Sequence, residues 1–184
     1  MIPPFNHNFV LPPYSGDSPA NRMTQSPYRA EIMDLCTRFG TTASRINILK
    51  GFIQFRLELY KKGICNTIQW IDGSFVEDKL SRENAEPNDI DVVTFVNLPS
   101  TMQQALVTSF PEFVDCRVSK QKYNVDHYII DISSPTAAVR NTQYWLQLFS
   151  HNRYGVWKGL VEIPLDTNNT EDIKAMDYLN SLSV

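Results

Sequence analysis

Residues 70–96 read Trp70-Ile-Asp-Gly-Ser-Phe-Val-Glu-Asp-Lys-Leu-Ser-Arg-Glu-Asn-Ala-Glu-Pro-Asn-Asp-Ile-Asp-Val-Val-Thr-Phe-Val96, and this stretch decides the fold. It opens on the end of an apolar run, turns at Gly73-Ser74, and closes with two aspartates one residue apart at the head of a second apolar run. Side chains two apart on a strand share a face, so Asp89 and Asp91 are predicted to project together while Ile90 and Val92 point the other way. The run from Val92 to Val96 reads as a buried strand, which puts at least one of these acids at the mouth of the core. Solvated acids at a strand end are the plain alternative, and the buried run counts against it. From Asp72 to Asp91 there are seven carboxylates against Lys79 and Arg82, a local net of -5 where the whole chain carries only -3. That density calls for a counter-ion.

Working outward, Ser74 followed by Glu77 has the pattern of a capping box, so Gly73-Ser74 is expected to turn a strand into the N-terminus of a short helix. The free amides and positive end of such a helix bind phosphate. A Gly-Ser pair alone reads more simply as a helix cap; followed by an Asp-x-Asp strand it reads as half of a phosphate and metal site.

Gly-Ser, a loop, then Asp-hydrophobic-Asp-hydrophobic resembles the signature of the nucleotidyltransferases of the DNA polymerase beta superfamily. The resemblance implies a third carboxylate on a following strand, and Asn124-Val-Asp-His-Tyr-Ile-Ile-Asp-Ile132 offers Asp126 or Asp131. Asp126 is preferred because the superfamily's third acid usually opens its strand at the same edge as the first pair, and Asp131 stays as the alternative. Fourteen residues separate Ser74 from Asp89, slightly more than is usual in that superfamily, and Asp72 stands where a hydrophobic residue is more typical. The segments Pro4-Phe-Asn, Leu11-Pro-Pro, Ile71-Asp-Gly-Ser-Phe-Val and Tyr154-Gly-Val-Trp-Lys-Gly-Leu-Val-Glu-Ile163 are further similar to small bacterial nucleotidyltransferase-like proteins.

What the resemblance implies is a metal-dependent transfer of a nucleoside monophosphate from a nucleoside triphosphate to a hydroxyl of a protein, RNA or small molecule. Asp89, Asp91 and Asp126 would hold two Mg2+ ions, with Mn2+ as a substitute, and Gly73 and Ser74 would hold the terminal phosphates. Lys79, Arg82, Arg153 and Lys158 are the basic candidates for the triphosphate. Lys79 and Lys158 are selected, Lys158 first because Lys-Gly before a strand recurs in the resemblance. Each taken singly reads more simply as a solvated side chain. Tyr154 and Trp157 read either as base-stacking groups or as core aromatics. The second functional reading is a catalytically weak binding module, such as an antitoxin or defence-system partner.

The remaining sequence frames these groups. With 184 residues, 42% of them hydrophobic, the chain has the material of one core. The overall negative charge argues against strong non-specific nucleic-acid binding. Cys36, Cys65 and Cys116 are odd in number and far apart, and read as reduced thiols. No apolar stretch approaches the ~20 residues that span a bilayer, so no membrane partner is expected. A cytoplasmic protein is the expectation. His7, His127 and His151 lack zinc-ligand spacing.

Six of the eleven prolines fall in residues 1–27, which predicts an extended arm packed along a single domain over 28–184. Helices are predicted from Ser26-Pro27 to Phe39, from Thr42 to Lys61, from Ser100 to about Phe110, from Ser134-Pro135 to Phe149, and from about Asn169. Strands are predicted at 64–71, 89–96 and 156–163, with 113–119 and 125–132 forming a hairpin about 120–124. The expected class is α/β (α+β), a mixed β-sheet of the polymerase-beta-type nucleotidyltransferase fold flanked by helices. About thirty-five residues follow Phe149. An acceptor is therefore expected on the N-terminal helices, on the arm or on another chain.

Overall fold

The computed structural model describes residues 1–182. Its centre is a mixed five-stranded sheet in the order β1-β5-β2-β3-β4. In chain order the elements are β1 (Tyr28–Arg29), α1 (Ile32–Phe39), α2 (Ala43–Lys61), β2 (Thr67–Asp72), a 3-10 turn (Gly73–Val76), α3 (Lys79–Glu83) and β3 (Ile90–Val96). They continue with α4 (Ser100–Ser109), α5 (Pro111–Val114), α6 (Cys116–Tyr123), β4 (Val125–Asp131), α7 (Pro135–Phe149), β5 (Val161–Leu165) and α8 (Thr170–Ser181). The mixed α/β class with helices flanking the sheet is as the sequence predicts.

The alternation of side chains sorts the strands into two faces. On one face Ile71, Val92, Val161 and Ile163 join the large core against α1, α2 and α8. On the other, Trp70, Val93, Phe95 and Ile130 form a smaller core with Phe149 of α7. That second face changes character along the strands. Beneath α7 it is apolar, and at the level of Phe149, where α7 ends, it carries Asp72, Asp91 and Asp126.

Helix α2 begins where Thr42 Oγ1 accepts a hydrogen bond from Arg45 N, as its sequence suggests. Gly51 in its interior costs roughly 1 kcal/mol of helix propensity. The cost is offset by contact, because a Cβ there would overlap the backbone carbonyl of Tyr123. The arm lies on the body through Gly159 N donating to Leu11 O (2.8 Å), Asp78 N donating to Phe9 O (2.8 Å) and the buried Val10 and Leu11.

Four local expectations are corrected. Ser26-Pro27 leads into β1 and not a helix, since Tyr28 N donates to Leu160 O (2.9 Å), Ala30 N donates to Glu162 O (3.0 Å), and the helix starts only at Ile32. Residues 113–119 are not the first arm of a hairpin. Asp115 caps α6 by accepting from Arg117 N, its buried Ser119 and Tyr123 are one helical turn apart, and Asn124 ends it in the left-handed region at φ 57°. β4 consequently pairs with β3 in parallel, after a helical crossover.

The predicted capping box does not form: Ser74 makes no side-chain cap. Glu77 is unavailable for capping because Lys158 and Arg82 hold its carboxylate. The last strand begins at Val161 and not Val156, because residues before it are turned aside to meet Ser150 and Leu11.

Candidate functional site

Strand register builds the site. Asp72 at the end of β2 pairs with Asp91 at the start of antiparallel β3, and Asp91 pairs with Asp126 at the start of parallel β4. Paired residues on neighbouring strands share a face, and strands lie about 4.8 Å apart. Three carboxylates thus stand in one row across three strands. Asp89, just before β3, joins them: its charge and that of Asp126 both act on Asp91.

The turn after β2 is fitted to this row. Gly73 has φ +77°, a conformation side chains rarely adopt, and a Cβ on it would collide with Asp91 Oδ2. Glycine therefore lets the Gly73-Ser74 turn lie directly against Asp91. Both residues line a cleft of about 450 Å³ with Asp72, Asp89, Asp91 and Asp126. Lys79 lines it too, its ammonium donating to Glu86 O (3.3 Å).

Lys158 forms the floor. It is 3% exposed and reaches the cleft from the segment before β5. Its ammonium donates to Gly73 O and Glu77 Oε1 (both 3.0 Å) and lies 3.1 Å from Asp72 Oδ1, off that oxygen's hydrogen-bonding direction. Burial opposes its charge, but Asp72 and Glu77 together hold its pKa above the ordinary lysine value. Burial likewise pushes Asp72 up to about 7, against the attraction of Lys158. Asp91 is pushed up to about 6, first by burial and then by Asp89 and Asp126. Burial and neighbouring like charges both disfavour the ionised form of a carboxylate.

The other predicted groups are distributed more loosely. Arg82 is committed to Glu77 and Glu83 (2.7 Å each) with its guanidinium 5.2 Å over the Tyr154 ring. Tyr154 OH donates to Glu83 Oε1 (3.2 Å), and Arg153 also lines the cleft. Trp157 faces a neighbouring hollow beside Tyr14, outside the cleft. Both aromatics are exposed and not core, Tyr154 by 68% and Trp157 by 53%. Asp131 stands at the far end of β4, opposite Val96, where it accepts from Ser133 N (2.8 Å) and Ser133 Oγ (3.0 Å). It does not reach the carboxylate row.

Sequence reasoning missed Asp72, Glu77 and Lys120. Asp72 carried a legible signal, an acid at the buried end of an apolar strand. Lys120 had none, because its segment read as a hairpin turn. It projects from the last turn of α6, and its ammonium contacts Asp89 and lies 3.2 Å from Asp126 Oδ2.

The donor chemistry suits a hard cation: oxygen ligands only, with Asp126 Oδ1 buried and without a hydrogen-bond partner. Among the described residues, no three His, Cys, Asp or Glu side chains stand as a ready-made metal cluster. Nor is any helix among them long and apolar enough to cross a membrane.

Fold and site together define a mixed α/β protein with an acid-lined cleft at one end of its sheet. A family model described as "Family of unknown function (DUF6932)" matches residues 3–164, and the chain belongs to that family. No curated protein and no solved structure matches it.

Proposed function

We propose that the cleft is the nucleotide site of a metal-dependent nucleotidyltransferase. One observation carries this reading: Asp91 and Asp126, paired in register with Asp89 beside them, face the Gly73-Ser74 turn across a single cleft. In this reading Asp89, Asp91 and Asp126 would hold the Mg2+ ions, whose chemistry is to neutralise charge on the attacking and leaving oxygens. Gly73 N–H and Ser74 Oγ hold the terminal phosphates. Lys158 props the turn by binding Gly73 O, which makes it a positioning residue for those phosphates. Lys79 adds a positive charge to the cleft lining.

In the transfer, the acceptor hydroxyl oxygen bonds to the α-phosphorus, the bond from that phosphorus to the α,β-bridging oxygen breaks, and pyrophosphate leaves. The hydroxyl proton passes to solvent by way of the Asp126 carboxylate. The acceptor is a protein, RNA or small-molecule hydroxyl.

Calorimetric titration with the four ribonucleoside triphosphates, with and without Mg2+, tests the reading. Tight Mg2+-dependent binding of one of them is expected, lost in the Asp89→Asn, Asp91→Asn double variant. Binding that survives in that variant sinks the assignment.

A second reading has its own support. The Lys120 ammonium already contacts both Asp89 and Asp126, which would suit a partner-binding module of low turnover, an antitoxin or defence-system component. Absence of Mg2+-dependent nucleotide binding in the wild type would favour it.

A further inference from the structure

The two lysines that meet the carboxylates differ in one respect that matters. Lys158 is sealed in, its side chain 2% exposed and contacting two carboxylates and a carbonyl. Lys120 has a side chain 49% exposed, while Asp89 and Asp126, which it contacts, keep only 15% and 17% exposure. The acids are largely covered, and the cation over them is open to solvent.

The charge count points the same way. Asp89, Asp91 and Asp126 face a single ammonium from α6, Asp126 Oδ1 lacks a hydrogen bond, and Lys158 is committed to Asp72 and Glu77. Because α6 runs into β4 through Asn124 alone, Lys120 and Asp126 are held in a fixed relation by the fold. The 49% exposure of its side chain leaves solvent on the outward side of Lys120.

We propose that Lys120 is a removable counter-cation that occupies the carboxylate site and competes with a divalent cation for Asp89 and Asp126. This rests on the reading of these aspartates as metal ligands and adds a control to it. An ion arriving alone must displace the ammonium, whereas an ion arriving with a triphosphate brings anionic oxygens that the displaced ammonium can meet. The competition would couple metal entry to nucleotide entry.

The test compares Mn2+ binding to the wild-type chain, Lys120→Met and Lys120→Arg without nucleotide, read from the free-ion paramagnetic resonance signal and from melting temperature. Lys120→Met should bind Mn2+ roughly three- to tenfold more tightly, the scale set by two part-exposed ion pairs. It should melt below the wild type without metal, the deficit closing as Mn2+ is added. Lys120→Arg, which keeps the cation, should stay near the wild type in both readouts.

Equal or weaker Mn2+ binding by Lys120→Met, with the wild type binding, overturns the inference and leaves the nucleotide-site reading standing. Mn2+ binding by neither protein overturns both. Asp89→Asn in the Lys120→Met background should abolish the gain; if the gain persists, the ion is bound elsewhere and the inference fails.

Discussion

Two buried charge networks lie on this one sheet, one closed and one left open. In the closed one the Arg56 guanidinium donates to both oxygens of Asp172 (2.5 and 3.0 Å), to Gln69 Oε1 (2.7 Å) and to Pro164 O (2.9 Å). Gln69 Nε2 donates to Thr94 Oγ1 (2.9 Å), Thr94 is 2.8 Å from His127 Nε2, and His127 Nδ1 is 3.0 Å from Phe113 O. These contacts assign one direction: Thr94 donates to Nε2, and Nδ1–H donates to the Phe113 carbonyl. The charge is balanced, and the chain ties α8, α2, four strands and α5 together. The open network at the strand ends has Asp72 and Asp91 with raised pKa values and an orphaned Asp126 oxygen. The closed network is fully buried and the open one only partly, with the side chains of Asp89 and Asp126 15% and 17% exposed. Pairing differs as well: Arg56 and Asp172 match one for one, whereas Asp89 and Asp126 share one ammonium and Asp126 Oδ1 has no hydrogen bond, an arrangement that costs stability.

The contrast can be broken most sharply in the closed network. Arg56→Met leaves Asp172 buried without its cation and should lower unfolding free energy by about 3–5 kcal/mol, read from urea denaturation. The Asp89→Asn, Asp91→Asn variant should do the reverse. It should lose Mg2+-dependent nucleotide binding by about 100-fold or more, equivalent to roughly 2.7 kcal/mol. Stability near pH 7 should hold or rise by about 1–2 kcal/mol, because the fold disfavours the Asp91 charge. A large loss of stability there would erase the distinction between the networks.

Gly73→Ala tests the contact between turn and row. Positive φ alone should cost about 1–2 kcal/mol. Displacement of Asp91 should also weaken nucleotide binding, checked by the same titration.

The most gradual effect concerns pH. Burial lowers the pKa of His127 from 6.5 to about 3. Between those values the unfolded chain binds a proton that the folded chain does not, so stability falls as pH drops through this window. The slope from one proton is at most about 1.4 kcal/mol per pH unit. His127→Gln should remove that component of the acid-limb slope, measured by denaturation at several pH values.

Legibility in the sequence followed the range of the interactions. Helix α7 was readable to the residue because Ser134, whose Oγ accepts from Ala137 N, and Pro135 are local start signals. Helix α2 was readable from Thr42 for the same reason. The segment before β4 was not, since Val114, Cys116 and Val118 alternate with a period of two while Val114 and Val118 also fit a helical one, and only packing against α2 and β4 chooses between them. Ser74-x-x-Glu77 failed as a capping box because a cation 81 residues away took the glutamate.

By itself the sequence determined that an Asp-x-Asp strand follows a Gly-Ser turn within a mixed α/β chain, because periodicity and turn chemistry act over a few residues. Tertiary structure alone decided which carboxylates become neighbours. Register across β2, β3 and β4 brought Asp72 and Asp126 to Asp91 and left Asp131 at the far end. It also decided that Lys158 is locked beneath the turn while Lys120 stands over the acids, since both positions depend on contacts between segments far apart in the chain.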